Sequence, residues 1–496
     1  MTKIFVDKNL KIGTVKHELF GSFIEHLGRA VYEGIYEPNH KSSNKDGFRE
    51  DVINLIKELN ISTVRYPGGN FVSGYHFEDG IGPKEKRPVR LDMAWQTIED
   101  NSFGTDEFMK WAKHAKVVPM MAVNLGTGTP LDAARLVEYC NFPKGTKLSD
   151  YRIKNGGIDP YNIKYWCLGN EMDGPWQISS LSAEDYAKKA LITARMMKLV
   201  DPNIKLIAAG SSSPEMPTYP KWDRTILEEL YEEIDYISMH RYYAHDSSLN
   251  DFYASYQDMD DFIKTIKSTI NYVKTYKRSK KDVKISFDEY NIWYIKEAKL
   301  GNWQKAPHLI EDNYSMKDAL VFSGLLNTLL NNVDVVEMAS LAQLVNVIAP
   351  ILTQKDGMAI RQTLFYPFKN AANNTVDGKV LKPIITGPKF NSKYGDVNYV
   401  SSSIINNEKE KEITVFLTNY HKNEMELDLE IRSFGKLTPI YHEILNSNDI
   451  ENKNTFEKPN LVVPKESDLP TIKDNKVLLN LKPETYHMLK FKYEGI

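Results

Sequence analysis

Eight short apolar runs, separated by longer stretches with helical period, constrain this chain more than any other feature. The runs end within 21–26, 62–69, 117–124, 163–171, 204–212, 235–243, 283–291 and 335–343. Their near-continuous apolar character, in place of strict alternation, suits parallel strands covered by helices. Between them lie helical patterns. In 48–60, Val52, Ile56 and Leu59 share one face; 182–200 opens with Ser182 three residues before Asp185; in 315–332, Ala319, Phe322 and Leu326 recur at helical spacing. Eight β/α units predict an α/β fold, a closed (β/α)8 TIM barrel. An open doubly wound sheet calls for a phosphate-binding glycine fingerprint. The nearest candidate, GTGTP from Gly126, lacks a third glycine and runs into Pro130.

From about residue 383 the pattern changes to short alternating strands, such as 412–420 and 425–434, separated by Asn, Lys and Glu clusters. These predict a C-terminal all-β sandwich domain. The expected division is 1–14 as an N-terminal strand joining the C-terminal sheet, 15–380 as the catalytic barrel and 381–496 as the sandwich. The Asn/Lys/Glu-rich stretch 446–470 reads as a mobile surface loop.

Composition narrows the partners. With 63 basic against 66 acidic residues and a formal charge of −3, there is no electrostatic footprint for nucleic acid or an anionic membrane. Lys3, Asp7, Lys8 and Lys11 interrupt the opening segment, and no stretch reaches the roughly 20 apolar residues of a membrane helix. A cytoplasmic protein is expected. Cys140 and Cys167 form no CxxC pair, so reduced core thiols are expected, with a disulfide as the alternative.

A barrel places its chemistry at the C-terminal ends of its strands. Two glutamates close runs there, Glu171 in LGNEMDGPW after the fourth and Glu289 in ISFDEYNIWY after the seventh. Retaining glycoside hydrolysis needs two carboxyls about 5 to 5.5 Å apart, one protonated and one ionised. Strands four and seven lie across the ring from each other, which suits that pairing. The Asn170 amide is placed to bind a sugar 2-hydroxyl as positive charge develops. Arg65, His240 and Tyr242, at the ends of runs two and six, are candidate donors that hold Glu289 ionised. Asp288 is the rival nucleophile; strand alternation points it away from the mouth if Glu289 points in, leaving it a structural hydrogen-bonding role.

Six segments in order, GSFIEHLGR (21–29), RYPGGNFVSGY (65–75), CLGNEMDGPWQ (167–177), HRYY (240–243), FDEYNIWY (287–294) and AQLVNVIAP (342–350), resemble the intracellular α-L-arabinofuranosidases of glycoside hydrolase family 51. The resemblance spans the barrel and implies an exo-acting, retaining enzyme that removes terminal non-reducing α-L-arabinofuranosyl residues from arabinan- or arabinoxylan-derived oligosaccharides. It implies Glu171 as general acid/base and Glu289 as nucleophile. Glu25, Asn70, Asn170, Tyr242 and Gln343 match positions that contact the sugar, Trp95 and Trp293 resemble aromatic positions lining the site, and Arg65 and His240 resemble residues that orient the carboxylates. It implies a homohexamer; no cofactor and no metal are expected. Two departures, Tyr290 where many relatives carry Trp and Arg241 after His240, bear on subsite preference.

Other readings stand beside this one. Another retaining barrel glycosidase of the same clan, a β-xylosidase or endoglucanase, could use the same glutamates; Glu25 and Gln343 speak for the furanoside pattern. An inert carbohydrate-binding barrel has no need of both glutamates with Asn170. A metal-dependent hydrolase is disfavoured because His26, His240 and His245 form no HxH or HExxH set.

Overall fold

The computed structural model describes residues 1–294, 300–473 and 475–495. Its centre is a closed barrel of eight parallel strands in sequence order: β1 (Gly21–Phe23), β2 (Thr63–Tyr66), β3 (Val118–Val123), β4 (Tyr165–Leu168), β5 (Lys205–Ala208), β6 (Tyr236–Tyr243), β7 (Lys284–Ile292) and β8 (Val336–Leu341). Each of the eight apolar runs carries one of them, β7 ending one residue beyond its run. β8 pairs with β1 through Ser340–Gly21 and Leu341–Ser22, which closes the ring. Inside lies a small layer of Val72, Met120, Ala122, Tyr165, Cys167, Ile207 and Met338.

Helices cover the outside. Glu50–Leu59 buries Val52, Ile56 and Leu59 and ends at Asn60 in the left-handed region (φ 57°). Ala183–Val200 is capped as its sequence suggests, with the Ser182 side chain accepting from the Asp185 N–H. Met316–Leu330 is apolar nearly all round because both its faces are covered. One packs on the barrel, where Phe322 stacks on Tyr290; the other meets the C-terminal sheet, where Ser323 bonds Thr418 and Asn327 bonds Ser401 and Ser403.

Two sheets form the C-terminal sandwich. One has seven strands, Lys11–Thr14, Lys379–Leu381, Val400–Asn407, Glu412–Asn419, Thr485–Tyr493, Leu437–Leu445 and Lys465–Glu466 in spatial order. The other has five, Ile384–Thr386, Thr2–Asp7, Met425–Arg432, Lys476–Leu481 and Thr471–Lys473. Thr2–Asp7 runs parallel to Met425–Arg432, with Ile4 opposite Leu429. Between the sheets lie Ile4, Val6, Val415, Leu417, Leu427, Leu429, Ile431, Leu489 and Phe491. The stretch 446–470 is tied to the barrel. Asn452 and Ile450 carbonyls accept from the N–H groups of Met316 and Lys317, and buried Asn454 bonds Val462 and the Arg361 carbonyl. Those bonds use helix N-terminal donors that lack intrahelical partners, a role that composition does not show. Cys140 and Cys167 are buried and form no disulfide. Among the described residues, no helix is long and apolar enough to cross a membrane.

Candidate active site

Three strand ends and one tight turn converge at the C-terminal mouth. After β4 the chain turns sharply through Gly169 (φ 83°) and Glu171 (φ 45°), which delivers Asn170 and Glu171 into the opening. On the adjacent strands β6 and β7, His240 and Glu289 are register partners, so imidazole and carboxylate meet side by side. Arg65 rises from β2. Its guanidinium donates to Glu289 Oε1 through Nη2 and to Asn170 Oδ1 through Nη1 at 2.9 Å, and it stacks over Phe23 at 4.4 Å. One arginine thus ties together the ends of β2, β4 and β7.

The Gly68-Gly69 pair makes room for this. Gly68 has φ 127°, and a Cβ there would lie 2.3 Å from the Cβ of Glu25. Around Gly69 a Cβ would meet Glu25 Oε2, Glu289 Oε1 and Asn170 Nδ2 at 3.2 to 3.4 Å. Three polar groups from three strand ends therefore face one point on a backbone without a side chain. The Asn170 Nδ2 group is buried with no protein partner, which leaves its hydrogen-bonding capacity for a ligand.

The two glutamates sit in different surroundings. An oxygen of each lies within 4.8 Å of an oxygen of the other and of His240 Nδ1. That spacing falls short of the roughly 6.5 to 9.5 Å that an inverting pair needs to hold a water beside the sugar, and suits a carboxylate attacking carbon directly. Glu289 accepts from Arg65 and, at 2.5 Å, from the Tyr242 hydroxyl. Burial pushes its carboxyl up, but the charges of His240 and Arg65 and the Tyr242 hydrogen bond outweigh burial and hold it below the ordinary value. Glu171 is half-buried; Oε1 lies 2.9 Å from His240 Nδ1 and Oε2 accepts from the Trp176 indole at 2.6 Å. His240 lies 3.6 Å from Glu289 Oε2. Burial opposes its charge, yet Glu289 and Glu171 raise its pKa above the usual range, which favours the imidazolium form between the two carboxylates.

Glu25 forms the back wall. Oε1 accepts from the Phe71 N–H and the Trp95 indole, both at 2.9 Å, and Oε2 from Gln343 Nε2 at 3.2 Å, while Gln343 Oε1 accepts from the Glu25 N–H. Burial dominates here and lifts its carboxyl to about 7. Near neutral pH it can both accept from and donate to hydroxyl groups of a ligand. Trp95 arrives on a hairpin of Arg90–Asp92 and Thr97–Glu99, whose turn Asp92 holds by accepting from the Ala94 and Trp95 N–H groups. Trp293 stands edge-on to Tyr242 with centroids 5.1 Å apart. Asn70 accepts from Gln177, which in turn accepts from Ser73. All the expected site residues thus come to one mouth.

Three details differ from expectation. Strand alternation fails at Asp288. Between Ser238/Ser286 and His240/Glu289, β6 advances two residues while β7 advances three, a bulge that lets consecutive acids face inward. Asp288 lies a layer deeper than Glu289, accepting from Ser286 with Cys167 Sγ at 3.9 Å. Tyr290 and Arg241 both point away from the pocket. The first is buried on Phe322, and the second pairs with Asp258 at 2.7 Å and Glu215 at 3.0 Å. Two residues given no role by sequence reasoning do contribute, Trp176 on Glu171 and Gln177 on Asn70. Their signal was their place in the CLGNEMDGPWQ segment.

Glu171, His240 and Glu289 could each offer one atom to a metal ion. The donor set argues against a cation. Both oxygens of Glu171 and both of Glu289 already accept hydrogen bonds, and the Arg65 charge abuts Glu289.

Known proteins share this arrangement of chain. Residues 55–264 match the α-L-arabinofuranosidase 1 domain and residues 288–484 the α-L-arabinofuranosidase C-terminal domain. The chain is 47% identical to an intracellular exo-α-(1→5)-L-arabinofuranosidase 1 of Bacillus subtilis, over 99% of each chain. It is 44% identical to an exo-α-(1→6)-L-arabinofuranosidase of Bifidobacterium longum, over 93% of this chain and 91% of that one. A solved family 51 α-L-arabinofuranosidase from Bifidobacterium longum superposes with a TM-score of 0.95 at 40% identity, covering 99% of both chains.

Proposed function

The chain belongs to the α-L-arabinofuranosidases of glycoside hydrolase family 51 and is a retaining, exo-acting glycoside hydrolase, and from that premise we propose that Glu289 is its nucleophile and Glu171 its general acid/base. The observation that carries the assignment is the pair of carboxylates within 4.8 Å with unequal surroundings, Glu289 flanked by two cations and a hydroxyl, Glu171 half-buried toward the opening.

In the first step Glu289 attacks the anomeric carbon from the face opposite the leaving group, and protonated Glu171 gives its proton to the departing glycosidic oxygen. The sugar is then esterified to Glu289. In the second step ionised Glu171 takes a proton from water, which attacks the same carbon and releases Glu289. Arg65, Tyr242 and His240 keep Glu289 ionised before attack and stabilise its charge again as it departs in the second step. Asn170 offers its unpartnered amide to the 2-hydroxyl, a contact that tightens as oxocarbenium character develops. Glu25, Asn70, Gln343 and Tyr242 bind the remaining hydroxyls, with Trp95 and Trp293 as apolar walls.

The substrates are arabinose-containing oligosaccharides derived from arabinan or arabinoxylan. The relatives named above are named for (1→5) and (1→6) bonds at similar identity, so overall identity does not fix the linkage. A cytoplasmic location follows the "intracellular" of the relatives' names, and a homohexamer follows the family resemblance; light scattering of the purified protein tests the latter. The mechanism is tested with a fluorinated, slowly turned-over arabinofuranosyl substrate. Peptide mass spectrometry then finds the label on Glu289, and proton magnetic resonance finds the first-formed sugar in the substrate's anomeric configuration. A label on Asp288, or inversion, overturns it.

A further inference from the structure

Trp176 is half exposed, at 49%, yet its indole N–H is committed to Glu171 Oε2 at 2.6 Å. Local backbone enforces the contact. The Gly174 N–H donates to the Glu171 carbonyl at 2.8 Å and the Gln177 N–H to the Gly174 carbonyl at 3.1 Å, so two tight turns fold the chain back over the carboxylate. The ring lies where a side chain on residue 174 would project, 2.5 Å from such a Cβ, and Gly174 leaves that space open.

The two oxygens of Glu171 are therefore held differently. Oε1 faces His240, which is buried and reaches toward Glu289. Oε2 faces a half-exposed ring that little packing retains. Oε2 is the oxygen on the solvent side, and the indole N–H takes the position a glycosidic oxygen would occupy there. As a general rule, a hydrogen-bond donor on a carboxylate oxygen stabilises the ionised form more than the protonated one.

We propose that Trp176 is a positioning residue that holds Glu171 through its indole N–H in the free enzyme and is displaced by the leaving group when substrate binds. The proposal rests on Glu171 being the acid/base. The charged and titratable groups that face Glu171 are His240 and Tyr242 from β6, Glu289 from β7 and, on its own loop, Asp173, whose carboxyl is raised to about 6 by burial and then by the Glu171 charge. Trp176→Phe alters none of these.

Trp176→Phe keeps the ring and removes the N–H. The test compares pH profiles on an arabino-oligosaccharide, whose poor leaving group keeps bond cleavage limiting. The basic limb of kcat/KM reports the free enzyme and moves to higher pH by roughly half to one unit. The basic limb of kcat reports the complex and stays in place, because the contact is already broken there. Movement of both limbs, of neither, or of the kcat limb alone overturns the proposal. Glu171→Ala on an activated aryl arabinofuranoside separates the two levels of the argument. Loss of the basic limb there upholds Glu171, so that a failure of the Trp176→Phe pattern falls on Trp176. A surviving limb overturns the assignment of Glu171, and with it this proposal.

Discussion

In the sandwich, the strand Met425–Arg432 buries Met425, Leu427, Leu429 and Ile431 on one face and leaves Glu426 and Arg432 in solvent. At the barrel mouth the burial is inverted in kind. Glu25, Arg65, Asn170, His240, Asp288, Glu289 and Gln343 are each no more than 5% exposed. Apolar burial of the first sort stabilises at about 25 cal/mol per Å² and needs no specific partner. Burying charges costs several kcal/mol per ion unless opposite charges and hydrogen bonds offset it. The mouth is therefore held by mutual satisfaction among a few groups, the sandwich by area. Substitutions in the two regions should fail in different ways: activity without fold at the mouth, fold without intrinsic activity in the sandwich.

The largest separation is expected from Glu289→Ala. Turnover falls by at least about 10⁴-fold, as when a covalent nucleophile is removed, while the far-ultraviolet circular dichroism stays native. A variant that unfolds but retains turnover per folded molecule breaks the comparison. Next comes Glu171→Ala, with a loss of about 10² to 10⁴-fold on unactivated oligosaccharides. The loss is much smaller on aryl substrates whose leaving oxygen is already a weak base, and added azide restores turnover by attacking the esterified sugar without a base. Equal losses on both substrates, with no azide effect, remove Glu171 from its role.

The sandwich counterpart is Leu429→Ala, which empties a fully buried site and costs about 2 to 5 kcal/mol in denaturant unfolding. kcat of the folded enzyme is unchanged at 25 °C. If kcat falls with stability, the two regions are coupled more tightly than their cores suggest. Asn170→Ala lowers kcat by about ten- to a hundredfold, the worth of one hydrogen bond to a charged centre, with KM moved less. A rise in KM at constant kcat reduces Asn170 to uniform binding.

The smallest effect is in stability against pH. Glu289 is held below its ordinary 4.5, so its contribution is present above that value and is lost as pH falls through the lowered one. His240 is raised above 6.5, so its contribution is complete below 6.5 and is lost as pH rises through the raised value. Melting temperature should peak between these limits. His240→Asn should flatten the alkaline side, and an unchanged alkaline slope shows that His240 is neutral in the folded protein.

Much of this was legible in the chain. The apolar runs located all eight barrel strands, and alternation located the sandwich strands Glu412–Asn419 and Met425–Arg432, because burial patterns are local properties of sequence. The family and the residues gathered at the mouth followed from segments whose side chains are adjacent in the chain or end a strand. Asp288 marks the limit. Whether consecutive acids face the same way depends on how β7 registers with β6, and a bulge is a property of two strands together. Trp176 and Gln177 marked it too, since an indole can reach a carboxylate five residues back when the turns at Gly174 bring it there. Protonation was also beyond the sequence. Glu25 and Glu289 are the same side chain, yet one is lifted to about 7 by burial and the other is held low by His240 and Arg65 in spite of burial. The sequence by itself determined which elements form and which groups they carry to the mouth. Only the tertiary structure decided which atoms meet and which proton each keeps, because field and desolvation at a site are sums over neighbours from every strand.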